Sequence, residues 1–359
     1  MSAHRITPVP VAARRPSPWP PAAFWKALGS HLLIPLFLAA GMALAYLGAF
    51  HAPQPSNIPV AIVGQGPAAD VFAQTLNDKA PDKLDVTTVA TLDAARAAVK
   101  DQRIAAAYAT DQTHATIVVS TAASPGEASA AEELLLPIAY QQHLPVTIDD
   151  VKPVPADDAT GQGLFFLMVA LSVGGYSSAI AIAAVTAKLG VAWRIAVSAG
   201  TALVVAAIGT VVAGPLFHVL DGNEWSIWLL AALYVFGIVT IGVGLHPVLG
   251  RWTTPVLTLL FVMLNVTTSG GIFPQNMQPP FFAGLSTFWT GAAWLDAARA
   301  LTYFPGEQFG FDGLRLALWA VAGLGFIGIS HLLTLRRRRA ADDTVAATAL
   351  EEETAVAAA

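Results

Sequence analysis

Six apolar stretches of 20 to 26 residues, none containing Asp, Glu, Lys or Arg, restrict the folds open to this chain. A helix needs roughly 20 apolar residues to cross about 30 Å of hydrocarbon. Charged residues make up only 12% of the 359 residues, about half of the roughly 25% usual in soluble domains. We therefore predict an α-helical membrane protein with six transmembrane helices. These are His31–Phe50, Gly163–Ala187, Ile195–Leu220, Trp225–Leu245, Trp252–Phe273 and Leu316–Leu335.

Basic residues lie in alternate connecting segments and predict the orientation. The segment between the third and fourth stretches carries Asp221 and Glu224 and no basic residue. Because Lys and Arg favour the cytoplasmic side of short loops, we predict a multi-pass protein of the cell membrane with both termini in the cytoplasm. The basic residues are Arg5, Arg14, Arg15 and Lys26 before the first stretch, Lys188 and Arg194 after the second, Arg251 after the fourth, and Arg336–Arg339 after the sixth.

The terminal segments are both assigned to the cytoplasmic side. Residues 1–30 contain a Pro-rich segment, Pro8–Pro21, followed by a predicted interfacial helix. Residues 336–359 begin with four arginines and continue as an Ala-rich tail, which we predict to be disordered. Four basic residues on this side are candidates for coupling to a cytoplasmic partner: Lys26, Lys188, Arg194 and Arg251.

The segment of residues 269–308 is apolar but interrupted by prolines. If it were a further full span, Arg336–Arg339 would fall outside the cell, against the positive-inside rule. It would also carry Asp296 and Arg299 into the hydrocarbon, which is costly. We therefore predict an outer-side hairpin over residues 274–312.

The aromatic and charged residues of this hairpin admit two interpretations. Trp289, Trp294 and Tyr303 are of a type that favours the headgroup boundary. Asp296 and Arg299 are three residues apart and can pair on one helical face. The hairpin is then either a structural plug with an ordinary salt bridge or an outer gate for an apolar substrate. The candidate gate residues are Pro274, Pro279, Pro280, Trp289, Trp294, Asp296 and Arg299.

Residues 51–160, between the first two stretches, have the length of one small domain. They hold six basic and fourteen acidic residues, a net charge of −8. Strand-like runs such as "NIPVAIVG", "LDVTTVA" and "ATIVVST" alternate with helical segments such as Ser124–Gln142. Thr91 can cap a helix that ends at Lys100. The alternation predicts an external α/β domain with a mixed sheet and parallel pairing near its start.

Motifs for catalysis are missing from the sequence. There is no cysteine, so thiolate catalysis and Cys-ligated metals are excluded. No G-x-x-x-x-G-K-[ST] nucleotide loop and no G-x-S-x-G nucleophile motif occurs. We therefore predict a protein that is not an enzyme, with no metal, no cofactor and no nucleic-acid partner.

The second stretch carries small residues at helical spacing. Gly175, Ala179 and Ala183 lie four residues apart, with Ser178 beside them. Such a stripe lets two helices approach closely, and a serine can hydrogen-bond across the contact. Packing within one bundle and dimerisation through this helix both remain open. Because the six stretches contain no ionisable Asp, Glu, Lys or Arg, ion-driven transport is disfavoured.

One span, a large external α/β insertion and five further spans resemble the permease subunits of type-2 ABC transporters. The chain is most similar to the broad group that includes the phage infection protein family. The similarity lies in "IPVAIVGQGPAADVFAQTL", in "LDVTTVATLDAARAAVKDQRIAAAYAT" and in "SGGIFPQNMQPPFFAGLSTFWTGAAWLDAARALTYF". In the last of these, Pro274 and Pro280 match recurrent prolines of the family's outer hairpin.

This resemblance implies a dimeric permease, as a homo- or heterodimer, that is powered by a separate nucleotide-binding ATPase subunit. Its substrate would be lipid-like, peptide or drug-like, and the external domain would receive it or pass it on. The turn Gly64–Gly66 departs from the Asn/Asp turn frequent in the family, and the cytoplasmic loops are short. A second function therefore stays open: a membrane-anchored scaffold or binding protein that acts through its external domain.

Overall fold

The computed structural model combines a helical bundle with a five-stranded sheet domain. Helix α1, Ala22–Phe50, precedes the sheet domain, and the other long helices follow it. The structure describes residues 22–51, 53–111, 113–186, 189–220, 222–304 and 310–357. The predicted Pro-rich segment and Lys188 lie outside these residues.

The sheet domain has the strand order β2-β1-β3-β4-β5. Strand β1 pairs in parallel with both β2 and β3, β3 pairs antiparallel with β4, and β4 pairs in parallel with β5. The mixed sheet with parallel pairing near its start is therefore confirmed. Its elements are β1 Ile58–Val63, α2 Pro67–Lys79, β2 Leu84–Val89, α3 Leu92–Lys100, β3 Ala106–Thr110, β4 Ala115–Val119, α4 Pro125–Gln141 and β5 Val146–Asp150.

Alternating apolar side chains place a core on each face of this sheet. Ile58, Tyr108 and Ile117 lie in the core shared with α2 and α4, while smaller residues of the other face pack against α3. Met277 also lies in the first of these cores, although it belongs to a turn after α9, in the bundle. The sheet domain and the bundle are thus joined by shared apolar packing.

Five helical stretches of the described chain are long and apolar enough to span a membrane. They are Leu28–Phe50, Gly163–Thr186, Val191–Leu216, Glu224–Thr268 and Gly310–Ala341. The bundle elements after the sheet domain are α5 Gly163–Thr186, α6 Val191–Val211 with a π-helical turn Val212–Leu216, α7 Glu224–Leu249, a 3-10 turn Gly250–Trp252, α8 Thr253–Thr258, a π-helical turn Leu259–Met263, α9 Leu264–Thr268, a 3-10 turn Gln275–Met277, α10 Pro280–Ser286, α11 Thr290–Tyr303 and α12 Gly310–Ala357.

The longest of the five stretches, Glu224–Thr268, reverses direction near Gly250. Gly250 has φ 53° and ψ −120°, a conformation that favours glycine and ends α7. Beyond it the chain runs back along α7, because Tyr234 Oη lies 2.7 Å from Asn265 Nδ2. Those residues are 31 positions apart, which would separate them by roughly 46 Å in a straight helix. Helix α7 and the segment α8–α9 are therefore antiparallel.

Residue contacts also fix the relative directions of the other neighbouring helices. Helix α5 runs parallel to α7 and antiparallel to α6, α12 runs parallel to α7, and α1 runs parallel to α8–α9. The contacts are Ser172–Tyr234 and Ala179–Gly242 for α5 and α7, Gly174–Val205 and Thr186–Arg194 for α5 and α6, Gly237–Ala320 and Gly244–Ile327 for α7 and α12, and Phe37–Trp252 and Gly41–Met263 for α1 and α8–α9. The sheet domain caps one end of this bundle, which we call the domain end.

The structures of α1 and α12 differ from the predictions for the two terminal segments. Residues 22–30 form the first turns of α1 and not a separate interfacial helix, because α1 continues through Gly29 into the apolar stretch without a break. The tail predicted to be disordered continues α12 as helix to Ala357. Residues after Arg339 are mostly Ala, Leu and Glu, which have high helix propensity.

Candidate functional site

A polar cavity of about 210 Å³ lies at the domain end, between the sheet domain and the segment that follows α9. We call it the junction cavity. It is closed by α4 on one side and by α11 and α12 on the other. Its lining is polar and charged: Gln102, Ala123, Ser124, Glu127, Thr268, Ser269, Gly270, Pro274, Gln275, Ser286, Thr287, Ala292, Asp296, Arg299 and Arg315.

The start of α4 forms the roof of this cavity. Ser124 caps the helix by accepting a hydrogen bond of 3.2 Å from the Glu127 backbone N–H, as Ser at a helix start commonly does. The Glu127 carboxylate then accepts a hydrogen bond from Asn276 Nδ2, across the junction. Burial raises the pKa of Glu127, and the Asn276 hydrogen bond opposes that rise. Glu127 therefore ties the sheet domain to the turn after α9.

Asp296 and Arg299 both face the cavity from α11, but they do not pair with each other. Arg299 Nη2 donates to the Gly270 carbonyl at 3.3 Å. Asp296 Oδ2 lies 3.9 Å from Arg315 Nη1 on α12. The predicted salt bridge is therefore wrong for the described residues, because the two side chains turn towards different neighbouring elements.

Arg315, at the start of α12, holds three elements together. Its side chain is only 11% exposed, and Nη1 donates to Asp312 at 2.8 Å. Its Nη2 donates to the Ser286 carbonyl and, at 3.5 Å, to that of Trp289. The guanidinium thus satisfies carbonyls at the end of α10 and before α11 while it faces Asp296. A planar fork of donors suits such a junction, and a lysine could not reproduce it.

The protein around the cavity shifts the pKa values of Asp296 and Arg299. The Asp296 side chain lines the cavity and is 49% exposed. Desolvation nonetheless raises the pKa of Asp296 to about 6; Arg299 and Arg315 oppose the rise and Asp312 adds to it. Burial also lowers the pKa of Arg299. Both charges are therefore held in a site that solvates them less well than bulk water does.

We expect the Asp296→Asn variant to be more stable than the wild type at about pH 7.5, and the advantage to vanish near pH 4. The folded pKa of about 6 lies above the unfolded value of about 3.9. The folded state therefore binds more protons in that window, and stability falls as the pH rises through it. Thermal unfolding followed by tryptophan fluorescence measures this. Asp93→Asn, whose carboxylate is 91% exposed, is the control, and a pH-independent difference would contradict the expectation.

A second polar group lies deeper in the bundle, next to the cavity. Asn265 Nδ2 donates to Tyr234 Oη at 2.7 Å, and Tyr234 Oη lies 2.6 Å from Ser172 Oγ. Asn265 Oδ1 accepts from the Gly291 N–H at 3.1 Å. Asn265, Tyr234 and Ser172 are buried. This group, the Asn265 cluster, joins α5, α7, α9 and α11.

The predicted gate prolines shape the chain at the cavity. Pro274 lies against Gly126 at the start of α4. Pro279 precedes α10, and Pro280 is its first residue, where a missing N–H costs nothing. These prolines thus set the entry to α10 and the contact with the sheet domain.

The aromatic residues of the hairpin pack inside the protein. Trp289, Trp294 and Tyr303 are buried within the protein. The Trp294 ring lies 5.8 Å from that of Tyr234, and the Trp289 ring lies 5.2 Å from that of Trp319. These three residues therefore do not face lipid, because the small residues of α11 let it insert between α5, α7, α9 and α12.

The candidate coupling residues have different environments at the opposite end of the bundle. Lys26 and Arg251 are exposed. Arg194 is only 6% exposed, and its Nε donates to the Thr186 carbonyl at 3.2 Å. A cation at the end of α5 is favourable for the helix dipole. Arg194 therefore stabilises the α5–α6 turn and does not project as a docking residue.

The stripe of small residues on α5 packs inside the chain. Gly175 lies against Ile238, and Ala179 against Gly242, both on α7; Ala183 is buried as well. Ser178 makes no side-chain hydrogen bond in the described part of the chain, and Ser172 instead supplies the bond that crosses to α7. This surface is therefore occupied within the bundle and is not free for dimerisation.

The sequence reasoning missed Glu127, Asn265 and Arg315. Glu127 follows the helix-start pattern "SPGE", which locates a cap but not a partner 149 positions away. Asn265 was a visible signal, as an amide within an apolar stretch. Arg315 lies one residue before a predicted span.

The described residues contain no group of three or more His, Asp or Glu side chains that could hold a metal ion. Comparison of the chain with protein-family models, with curated proteins and with solved structures gives no match.

Proposed function

We propose that this chain is the permease subunit of a type-2 ABC exporter, crossing the cell membrane six times with both termini in the cytoplasm. The reversal at Gly250 supports dividing the stretch Glu224–Thr268 into two spans. The first half, Glu224–Leu249, has 26 residues. The second half, from Gly250 to Thr268, is about as long as the roughly 20 residues needed to cross hydrocarbon. The contact directions of all six helices agree with alternating crossings.

The charges at the two ends of the bundle support this orientation. The end opposite the sheet domain carries Lys26, Arg194, Arg251 and the arginines after Leu335. The domain end carries the acidic sheet domain and Glu224. By the positive-inside rule the sheet domain then lies outside the cell.

The observation that carries the functional proposal is the junction cavity. A polar, charged cavity at the outer end of an apolar bundle, roofed by a separately folded domain, is suited to passing a substrate between the two. The chain itself has no nucleotide loop, so the free energy for export would come from a separate ATPase subunit. Opening would separate α4 from α11 and α12, with Asp296 and Arg299 acting at the exit.

The proposal is tested by isolating the full chain from its native membrane in nanodiscs, identifying copurifying proteins and assaying ATP hydrolysis. We expect a stoichiometric ATPase with a nucleotide loop, and loss of activity when that site is disabled. Arg251→Glu, at the exposed cytoplasmic end, should reduce its recovery, whereas Lys79→Glu on the sheet domain should not. Recovery of the chain with no ATPase would refute the exporter.

A second candidate function, a membrane-anchored binding or scaffold protein, is favoured by one observation. The sheet domain has an apolar pocket of about 440 Å³ between α2 and α4. Phe72, Leu76 and Leu134 line it, with Lys79 among the polar residues. In this case the same isolation would recover envelope proteins without an ATPase.

A further inference from the structure

Two opposite charges on α11 face the junction cavity side by side. Asp296 and Arg299 are three positions apart, which places their Cβ atoms about 5–6 Å apart on one helical face. Both line the cavity, and no ion pair joins them in the described residues. Asp296 has a long contact of 3.9 Å to Arg315, and Arg299 donates to a carbonyl instead of a carboxylate. Charges compensated this weakly are costly in a partly desolvated site. A ligand that carries both a cation and an anion would compensate both side chains.

Each of the two side chains has unused bonding capacity. Arg299 has five N–H donors, and its one hydrogen bond within the described chain, to the Gly270 carbonyl, is 3.3 Å long. The nearest cation to Asp296 is Arg315, at 3.9 Å, which is already committed to Asp312. Donors and acceptors therefore remain available to a ligand.

We propose that the junction cavity binds a zwitterionic group, in which a primary ammonium lies a few ångströms from an oxyanion. Asp296 accepts hydrogen bonds from the ammonium, and Arg299 donates to the oxyanion. Charge-assisted bonds of this kind are the strongest that side chains make. The ligand as a whole is then neutral, so it enters the cavity without adding net charge.

The size of the cavity agrees with a small group of this type. Its volume of about 210 Å³ corresponds to roughly seven water molecules at about 30 Å³ each. A phosphoethanolamine lipid headgroup and a free amino acid both have the required chemistry. If the zwitterionic group belongs to the transported substrate, the inference rests on the proposed function. Binding of the group in the cavity does not require an ATPase.

Binding is measured on the full chain with two matched ligand pairs. Phosphatidylethanolamine is compared with phosphatidylglycerol by native mass spectrometry, which tests the lipid source. Leucine is compared with its deaminated analogue by calorimetry, which tests the free amino acid. We expect a preference of about 10-fold or more for the ammonium-bearing member of at least one pair.

The variants separate recognition from structure. Asp296→Asn should abolish the preference for the ammonium-bearing ligand, because the variant lacks the carboxylate that accepts hydrogen bonds from the ammonium. Arg299→Gln should weaken both members of the pair alike, by about 10- to 100-fold. Asp101→Asn and Arg103→Gln, an exposed pair 3.3 Å apart, are the matched controls and should change nothing.

Two results would overturn the inference. One is the absence of any preference in both pairs with the wild-type chain, which needs no variant to fold. The other is a preference for the ammonium-bearing ligand that persists in Asp296→Asn, or an affinity for both ligands that is unchanged in Arg299→Gln. Neither result bears on whether an ATPase copurifies, so this inference can fail while the exporter proposal stands.

Discussion

Replacing Arg315 by Gln is expected to lower the free energy of unfolding by about 2–4 kcal/mol, the largest effect we predict for one side chain. The guanidinium is 11% exposed and holds Asp312 at 2.8 Å. Its loss leaves that carboxylate and the Ser286 carbonyl without their donor. A buried charge that loses its partner costs far more than a surface pair is worth.

Thermal and denaturant unfolding of the purified chain in one detergent measure this loss. Arg315→Lys should recover only part of it, because an ammonium cannot contact Asp312 and the carbonyls in the same fork geometry. Arg103→Gln breaks an exposed pair and should cost less than about 1 kcal/mol. Equal effects of Arg315→Gln and Arg103→Gln would show that the junction does not depend on this guanidinium.

Replacing Gly291 by Val is expected to destabilise the chain by about 2–3 kcal/mol through overpacking. A Cβ at position 291 would lie 2.8 Å from Asn265 Oδ1 and 3.0 Å from Asn265 Cβ. Asn265 cannot retreat without breaking its 2.7 Å hydrogen bond to Tyr234. The substitution therefore pushes α11 away from α9 and disturbs the Asn265 cluster.

Gly284→Val is the matched control for this prediction. Gly284 also lies in a helix, α10, and a Cβ there would meet nothing within 4 Å. Because valine has a slightly higher helix propensity than glycine, we expect this variant to change the free energy of unfolding by less than about 1 kcal/mol and not to lower it. If both valine variants unfold at the same temperature, close packing of α11 against Asn265 is not what stabilises the hairpin.

Local sequence rules predicted much of the fold because the relevant forces act over short distances. The sheet strands follow from alternation and β-branched runs, and Thr91 caps α3 by accepting from the Ala94 N–H at 3.1 Å. The helices long enough to span a membrane are predicted from the length and apolar composition of their stretches. The break between the fourth and fifth apolar stretches, over residues 246–251, contains Gly250, where the chain reverses.

The site could not be predicted to the same extent, because its contacts join residues far apart in the chain. Glu127 meets Asn276 only after the sheet domain docks on the bundle. The spacing of Asp296 and Arg299 predicts that they share one helical face, but it carries no information about Gly270 and Arg315, which bind them instead. Trp294 has the chemistry of an interfacial residue and is buried through the small residues around it.

We propose that the chain crosses the membrane six times and that the sheet domain and the junction cavity lie outside the cell. The chain has no native cysteine, so single cysteines can be labelled without background in intact cells. We expect a membrane-impermeant maleimide to label Asp93→Cys and Glu224→Cys, and to label Arg251→Cys and Arg337→Cys only after the membrane is permeabilised. Labelling of Glu224→Cys and Arg251→Cys from the same side would contradict the six crossings. Protection of Asp93→Cys in intact cells would contradict the position of the sheet domain outside the cell.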